Sequence, residues 1–263
     1  MILVEGTEDN GLARVGTRDP VAQRILAVLE ACAASRRPVT VTQIMGRTGL
    51  AKTTVHRMCW KLASLGLLEH ADEGFLIGTK LVALANANAA VREIRTAAMP
   101  HLVELQAFTG ASTLTILADG KALVVDGLYS KSFQLTPRTG CALPLHLTAA
   151  GKAILAGLDP AEREGLLQGP LMAATPRSIV HPEMLERHLA RIADRGVSVA
   201  LEELQSGLIG VASAFRTPGG LHAAIGSVGL ATNRAVLNST RQVAAAAAQL
   251  RRVLAERAAR FAH

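Results

Sequence analysis

Two glycines bracket a short amphipathic segment in "TQIMGRTGLAKTTVHRMCWKLASLGLLE", and this spacing constrains the amino-terminal third of the chain more than any other feature. Thr42 is the candidate N-cap of a short helix through Arg47, and Gly49 ends it, since a helix C-terminus often needs a left-handed residue. From Lys52 to Leu65 the apolar residues Val55, Met58, Leu62 and Leu65 recur at spacings of three and four, the signature of one buried helical face. Gly66 closes this helix. "LLEHA" and "GFLIGT" then flank "DEG", the pattern of a β-hairpin.

A third helix precedes these elements. Asp19-Pro20 opens it, with proline where its missing N–H costs nothing, and Ile25, Leu26, Val28, Leu29 and Cys32 supply its apolar face before "SRRPVT" ends it. Three helices followed by a hairpin make a winged helix-turn-helix over residues 19–79, after a flexible arm over 1–18. Ile44, Leu50, Val55 and Met58 face the core. The opposite face of the Lys52–Leu65 helix carries Lys52, Thr53, Thr54, His56, Arg57 and Lys61. The major groove admits a helix, short hydroxyls and threonine methyls touch base edges there, and an arginine takes guanine or a phosphate. Thr42 and Gln43, at the start of the bracing helix, join the DNA-contact candidates.

Charge supports a polyanionic partner. The chain of 263 residues has a formal net charge of +7, and between Arg14 and Lys61 nine basic residues face only Asp19 and Glu30. A basic helix face is by itself often plain solvated surface; the glycine turn, the hairpin and the local charge together favour DNA. Aromatic residues make up 3%, too few for the stacking platforms of single-stranded nucleic acid. The three cysteines, Cys32, Cys59 and Cys141, form no CxxC pair, which argues against a disulfide framework and fits a reducing cytoplasm. The start lacks the basic-then-apolar order of a signal peptide. The most apolar window, "CALPLHLTAAGKAILAGL", contains Pro144, His146 and Lys152 and does not suit a membrane span.

Beyond the hairpin, Lys80 to Ala98 is helical by composition, an expected linker helix over 80–99, with a second helix from Pro100 to Phe108. The alanine spacing in "LVALANANAAV" suits either a dimer seam or a plain spacer. From Ser112 the texture becomes α+β. "STLTILADGKALVVDGLY" is two strands about an Asp119-Gly120 turn, and "SFQLTPRTG" is a further strand candidate. "LTAAGKAILAGL" is a helix capped by Thr148, and Glu183–Arg195 is a surface helix. "GVSVALEE", "GVASAFRTPGG" and "LHAAIGSVGL" are strands, and Val236–Phe261 is a closing helix. The result over 100–263 is an antiparallel-sheet domain of the kind that holds small molecules.

Several apparent catalytic motifs fail on spacing. "TAAGKAI" lacks the earlier glycine and the Ser/Thr of a phosphate loop. His146 has no second ligand at metal spacing and suits a hydrogen-bonded structural role. Glu202 and Glu203, adjacent on an expected strand, point to opposite faces and cannot serve one site; one of them suits an ion pair. No Ser-His-Asp set assembles. Neither metal nor cofactor is expected, and the chain is not expected to be an enzyme. The alternative is an enzyme or metabolite sensor that uses the C-terminal domain while the hairpin domain dimerises.

Three stretches make the chain, from about Asp19 to Phe261, resemble the IclR family of bacterial transcription regulators. They are "VTQIMGRTGLAKTTVHRMCWKLASLGLLE", "RTGCALPLHLTAAGKAILA" and "RGVSVALEELQSGLIGVASAF". The resemblance implies a GAF-like effector domain, a homodimer or dimer of dimers on a palindromic operator, and a small catabolic effector; a repressor role is expected, with activation the alternative. Met45 departs from it, standing where a small alanine is usual. In relatives that sense small keto acids an acidic residue and two serines face the ligand; the matching positions here are Ala200, Gly226 and Val228, with Leu208 and Gly210 nearby. Leu143, Leu145, Ala149, Ala150 and Gly151 complete the candidate effector set. Burying unpaired charge among such residues costs several kcal/mol. A larger, flatter, less charged effector is therefore expected, an aromatic acid above all, its carboxylate on the helix-opening N–H groups of Ala149, Ala150 and Gly151. Signalling is expected to run through the helix around Leu84 to Arg95, altering the roughly 34–36 Å spacing of two recognition helices.

Overall fold

The structure, a computed structural model, describes residues 20–35, 37–130 and 139–261. The arm expected over 1–18, Arg36 and most of the Ser132–Gly140 strand candidate lie outside the described residues. The chain divides into two compact units between Asn88 and Ala89.

The first unit contains α1 (Pro20–Ala33), α2 (Val41–Thr48), α3 (Lys52–Ser64), β1 (Leu68–Ala71), β2 (Gly74–Ile77) and α4 (Thr79–Asn86). The cap of α2 is Thr40, not Thr42. Thr40 Oγ1 accepts from Gln43 N–H and Gln43 Oε1 accepts from Thr40 N–H, a reciprocal box that Thr42 cannot form with Met45 three residues on. Gly49 ends α2 at φ 67°, the left-handed conformation expected there. Val28, Cys32, Ile44, Val55, Cys59, Leu62, Leu68 and Phe75 form the core. Val39 and Phe75 exchange backbone hydrogen bonds of 2.9 Å, which ties the hairpin to the α1–α2 connection. Two expected core residues are exposed: Leu26 at 53% and Leu65 at 46%. Leu26 lies at the flank of too wide a stripe, and Leu65 is the C-cap of α3. Cys59 occupies the buried row instead, between Val55 and Leu62, while Leu50 and Met58 are half-buried.

The second unit begins with α5 (Ala89–Thr109), which runs through Pro100 without a break. The expected division at Pro100 fails because Pro100 and Thr96, whose carbonyl loses its partner, both lie on the exposed side of the helix. The helical break falls at Ala87-Asn88 instead, and Ile94, Ala97 and Ala98, expected in the linker, belong to the second core. There follow β3 (Ala111–Ala118), β4 (Lys121–Tyr129), β5 (Ala142–Leu143), a 3-10 turn (Leu145–Leu147), α6 (Ala149–Ala156), α7 (Pro160–Leu166) and α8 (Pro182–Arg195). Then come β6 (Ser198–Leu201), β7 (Leu208–Arg216), β8 (His222–Leu230), α9 (Arg234–Asn238) and α10 (Thr240–Phe261). α7 has no counterpart among the expected elements, and Ser239 divides the expected Val236–Phe261 helix into α9 and α10.

Among the described residues the sheet is antiparallel with order β5-β4-β3-β8-β7-β6. The expected turn at Asp119-Gly120 joins β3 to β4 with φ of 47° and 71°, the left-handed pair of a tight hairpin. Strand alternation gives the sheet two faces. Leu114, Ile116, Ile209, Val211 and Ile225 pack on α5 and α10. The other face carries Ala200 and Ala212 under α6, while α6 and α8 build a second apolar layer from Leu155, Leu185, Leu189 and Ile192.

Candidate functional site

Two surfaces concentrate chemistry, one in each unit. On α3 the residues Lys52, Thr53, His56, Arg57, Trp60 and Lys61 are exposed, opposite Val55, Cys59 and Leu62. The helix opens at Ala51, which offers no side-chain cap, so the first N–H groups of α3 point outward beside Lys52. Trp60 Nε1 donates to His56 Nε2 at 3.1 Å. The indole stacks on His70 of β1, with centroids 4.7 Å apart, and meets Phe75 of β2 edge-on. Aromatic packing thereby joins the exposed face of α3 to the hairpin. The hairpin turn, Asp72-Glu73, is acidic and exposed. Arg47, counted in the basic excess, donates to the Ala31 carbonyl at 2.6 Å and braces α1 against α2.

The second surface is a small cavity, partly open to solvent, between the sheet and the start of α6. Its apolar wall includes Ala122, Val124, Leu143, Leu147, Ala149, Ala150, Ala200, Leu204, Leu208, Gly210 and Val228, and its polar lining residues include Thr113, Thr115, Thr148 and Glu203, with Ser227 meeting it only through its backbone. Strand alternation sets which residues face it. Thr113 and Thr115 lie opposite Gly226 and Ala224 on one face, whereas Leu114 points into the α5 core. Ser227, opposite Val211, directs its side chain to that far face.

The cavity roof is pinned by polar contacts. Thr148 caps α6 by accepting from Gly151 N–H at 2.9 Å. Lys152, fully buried, donates to Val199 O at 3.2 Å and to Glu203 Oε1. Burial pushes the Glu203 carboxyl up and the Lys152 ammonium down from their usual ranges, and each partner's charge opposes the other's shift. Ser178 Oγ donates to Glu203 O at 2.7 Å, and Thr175 Oγ1 donates to Glu202 O at 2.6 Å. Glu202 pairs with Arg177 at 3.1 Å and accepts from Gly207 N–H at 2.7 Å. Both glutamates are therefore in ion pairs, where one was expected. Glu202 sits past the end of β6 at φ 56°, so the alternation assumed for the pair does not apply. His146 Nε2 bonds Met172 O at 2.9 Å, a structural role as expected. Among the described residues no cluster of three or more His, Cys, Asp or Glu is arranged to hold a metal. No described helix is long and apolar enough to cross a membrane.

The family model for the bacterial transcriptional regulator IclR C-terminal region matches residues 87–255, and that for the IclR helix-turn-helix domain matches residues 21–72. The chain belongs to the IclR family.

Relatives agree with this placement. The IclR-family chain is 29% identical over 195 residues to the HTH-type transcriptional regulator XynR of Escherichia coli K12, covering 71% of this chain and 76% of that one. It is 30% identical over 196 residues to the glycerol operon regulatory protein of Streptomyces griseus, covering 73% and 76%. Its fold superimposes, with TM-score 0.79 and 27% identity over 89% of this chain and 99% of the other, on an IclR homolog complexed with 4-hydroxybenzoate from Microbacterium hydrocarbonoxydans. These relatives are regulators, not enzymes, so the alternative of an enzyme falls. The α+β class with an N-terminal helix-turn-helix and a C-terminal antiparallel sheet holds.

In this IclR-family regulator the sequence-derived positions divide. Lys52, Thr53, His56, Arg57 and Lys61 share the exposed face of α3; Thr54 is half-buried at its edge. Thr42 and Gln43 are exposed in the first turn of α2, with the Gln43 side chain committed to the capping box. Trp60 was missed, although four-residue spacing from His56 places it on the same face. In the cavity, Leu143, Ala149, Ala150, Ala200, Leu208, Gly210 and Val228 come together. Leu145 does not: the 3-10 turn sends it into the core with Leu155 and Leu189. Gly151 lies against the Leu145 carbonyl with its N–H taken by Thr148, and Gly226 packs against Ala212 and Val211. Met45 is half-buried against the first unit's core. The wall is also less uniformly apolar than expected, since Thr113, Thr115, Thr148 and Glu203 belong to it.

Proposed function

We propose that the protein is an effector-controlled repressor that docks α3 of two copies in successive major grooves of a palindromic operator, as a homodimer or dimer of dimers, with an aromatic acid as effector. The exposed basic face of α3, set against a fully buried apolar face, carries the DNA half. Lys52, Thr53, His56, Arg57 and Lys61 are the contact residues, with Thr54 at the edge and Thr42 and Gln43 contributing from α2. Cations and free helix N–H groups hold phosphates, while hydroxyls and the Arg57 guanidinium read base edges. The acidic Asp72-Glu73 turn repels phosphates, which leaves affinity to α3.

The cavity supports an aromatic ligand. Its wall is largely alanine, leucine, valine and glycine, and Lys152, the cation beside it, is already bound by Glu203 and Val199. A flat apolar ring gains from this wall, whereas a two- or three-carbon keto acid leaves it uncovered. The carboxylate is received by the Ala149 and Ala150 N–H groups and by threonine hydroxyls. The 4-hydroxybenzoate complex of the Microbacterium relative, at 27% identity, supports the same ligand class.

Gel-shift titration with the DNA upstream of the protein's own gene tests the reading. Specific retention that falls steeply with salt, and that benzoate or 4-hydroxybenzoate releases, is expected. Retention unaffected by any aromatic acid but altered by glyoxylate or pyruvate overturns the effector assignment. Absence of specific retention overturns the operator assignment.

A further inference from the structure

Two hydroxyls in the cavity wall bond to no other described residue. Thr113 and Thr115 alternate with Leu114 on β3, so both face the cavity while Leu114 enters the α5 core. They are 7% and 2% exposed. On the neighbouring strands Thr113 stands between Gly226 and Gly127, and Thr115 between Ala224 and Val124, so no cross-strand side chain can bond to either. Among the described residues, the buried side-chain oxygens that lack both a hydrogen bond and contact with solvent are on Ser198, Glu203 and Ser227. The two threonine oxygens are unbonded but not sealed in this way, and the opening that they share is the cavity. Most buried hydroxyls in proteins are bonded, because leaving one without a partner opposes folding. Here that cost falls where a ligand can remove it.

We propose that Thr113 and Thr115 form a neutral polar subsite, which selects aromatic acids with a second, uncharged polar group on the ring, a hydroxyl above all. This rests on the aromatic-acid reading above and narrows it. Two residues apart on one strand, the threonines stand about 6.6–6.8 Å from each other. Hydroxyls leaning together across that interval can share one ligand oxygen at about 2.7–2.8 Å. A threonine hydroxyl both donates and accepts, so a ring O–H donates to one and accepts from the other. The carboxylate is better served at α6. No cation is among the described residues that line the cavity, and a neutral hydroxyl pair holds a negative charge less well than the start of a helix, where free N–H groups act with the dipole. Thr148 belongs to that end: its oxygen accepts from Gly151 N–H, and its own proton is left to donate. The wall thus reads two ends of one molecule, an acid at α6 and a neutral polar group on β3. A ring with methyl in place of hydroxyl leaves both threonines unbonded, and sites built to bond a ligand hydroxyl reject such analogues strongly.

Calorimetry on the full-length protein tests this with benzoate, 3- and 4-hydroxybenzoate, and 3- and 4-methylbenzoate, whose methyl group fills the place of the hydroxyl. At least one hydroxybenzoate is expected to bind tenfold or more tightly than its methyl counterpart. Thr113→Val and Thr115→Val keep the branched shape and remove the hydroxyl. In the double variant that preference is expected to fall to twofold or less, while the melting temperature of the ligand-free protein holds or rises, because no hydrogen bond is lost. Thr113→Ser and Thr115→Ser keep the hydroxyls and are expected to keep the preference. If the valine variants fail to fold by circular dichroism, the ratio of hydroxyl to methyl in the wild type decides alone. Binding of all five within twofold, or a preference that survives the loss of both hydroxyls, overturns the subsite and leaves the aromatic reading standing. Binding of none of the five overturns both.

Discussion

Trp60 Nε1 donates to His56 Nε2 at 3.1 Å, one turn apart on the exposed face of α3. An indole N–H can only donate, so Nε2 of His56 is the acceptor and its ring proton sits on Nδ1. The bond fixes both the tautomer and the orientation with which His56 faces solvent. Trp60 is itself held by stacking on His70, so the geometry of α3 depends on β1.

Trp60→Phe keeps an aromatic ring and removes only the N–H. Operator affinity is expected to fall by about two- to tenfold, the worth of one hydrogen bond of roughly 0.5–1.5 kcal/mol. His56→Ala is expected to cost a similar amount, and the double variant less than the sum, since the two act through one contact. Gel-shift titration at fixed salt measures all three. Additive losses, or a Trp60→Phe affinity equal to that of the parent, show that the pair does not set the DNA-facing geometry.

Two glycines separate strain from collision. Gly49 has φ 67° with open space around an added Cβ, so Gly49→Ala suffers backbone strain alone, about 1 kcal/mol. At Gly151 an added methyl runs into the Leu145 carbonyl and the Thr148 hydroxyl. Gly151→Ala is expected to cost about 1–3 kcal/mol or more, as overpacking does, and to weaken effector binding by shifting α6. Thermal melts by circular dichroism compare the two, and equal destabilisation contradicts the packing described at α6.

Thiol chemistry reports on the cores. Cys32 and Cys59 are buried in the first unit, and burial pushes each thiol up to about 11. Cys141 is only half-buried. At pH 8 a thiol reagent is expected to modify one cysteine quickly, and all three only after denaturation. Fast modification of Cys32 or Cys59 in the native protein contradicts this core.

Stability is expected to fall on mild acidification. Burial lowers the His188 pKa, with the positive charges of Lys152 and Arg191 adding to the effect; His222 is lowered by burial and by Arg216. A histidine with a depressed folded pKa binds fewer protons folded than unfolded below about pH 6.5. These two groups therefore withdraw stability as pH drops below that value. Melting temperature is expected to decline from pH 7 to pH 5.5, and less steeply in His188→Gln. An unchanged slope in that variant removes His188 as a contributor.

Local signals carried much of the fold. The glycine at 49, the Asp119-Gly120 turn and the Thr148 cap act within four residues, and the structure has all three as read. The true cap of α2 was equally legible, because Thr40 and Gln43 have capping-box spacing and Thr42 does not. A proline inside a helix is tolerated more readily where the carbonyl it orphans reaches water, as at Pro100 and Thr96, and exposure is not local information.

The amino-acid order alone determined the winged helix-turn-helix, the basic face of α3 and the α+β character of the rest, since helix period, strand alternation and turn chemistry are short-range properties of the chain. Only the tertiary structure decided which strand face lines the cavity and which covers α5. It alone placed Leu145 in the core, and it joined Lys152 to Glu203 across 51 residues of sequence. Alternation gives a strand two faces but does not say which one meets a void. The pairing of distant charges follows from the packing of α6 against the sheet, which no local pattern specifies.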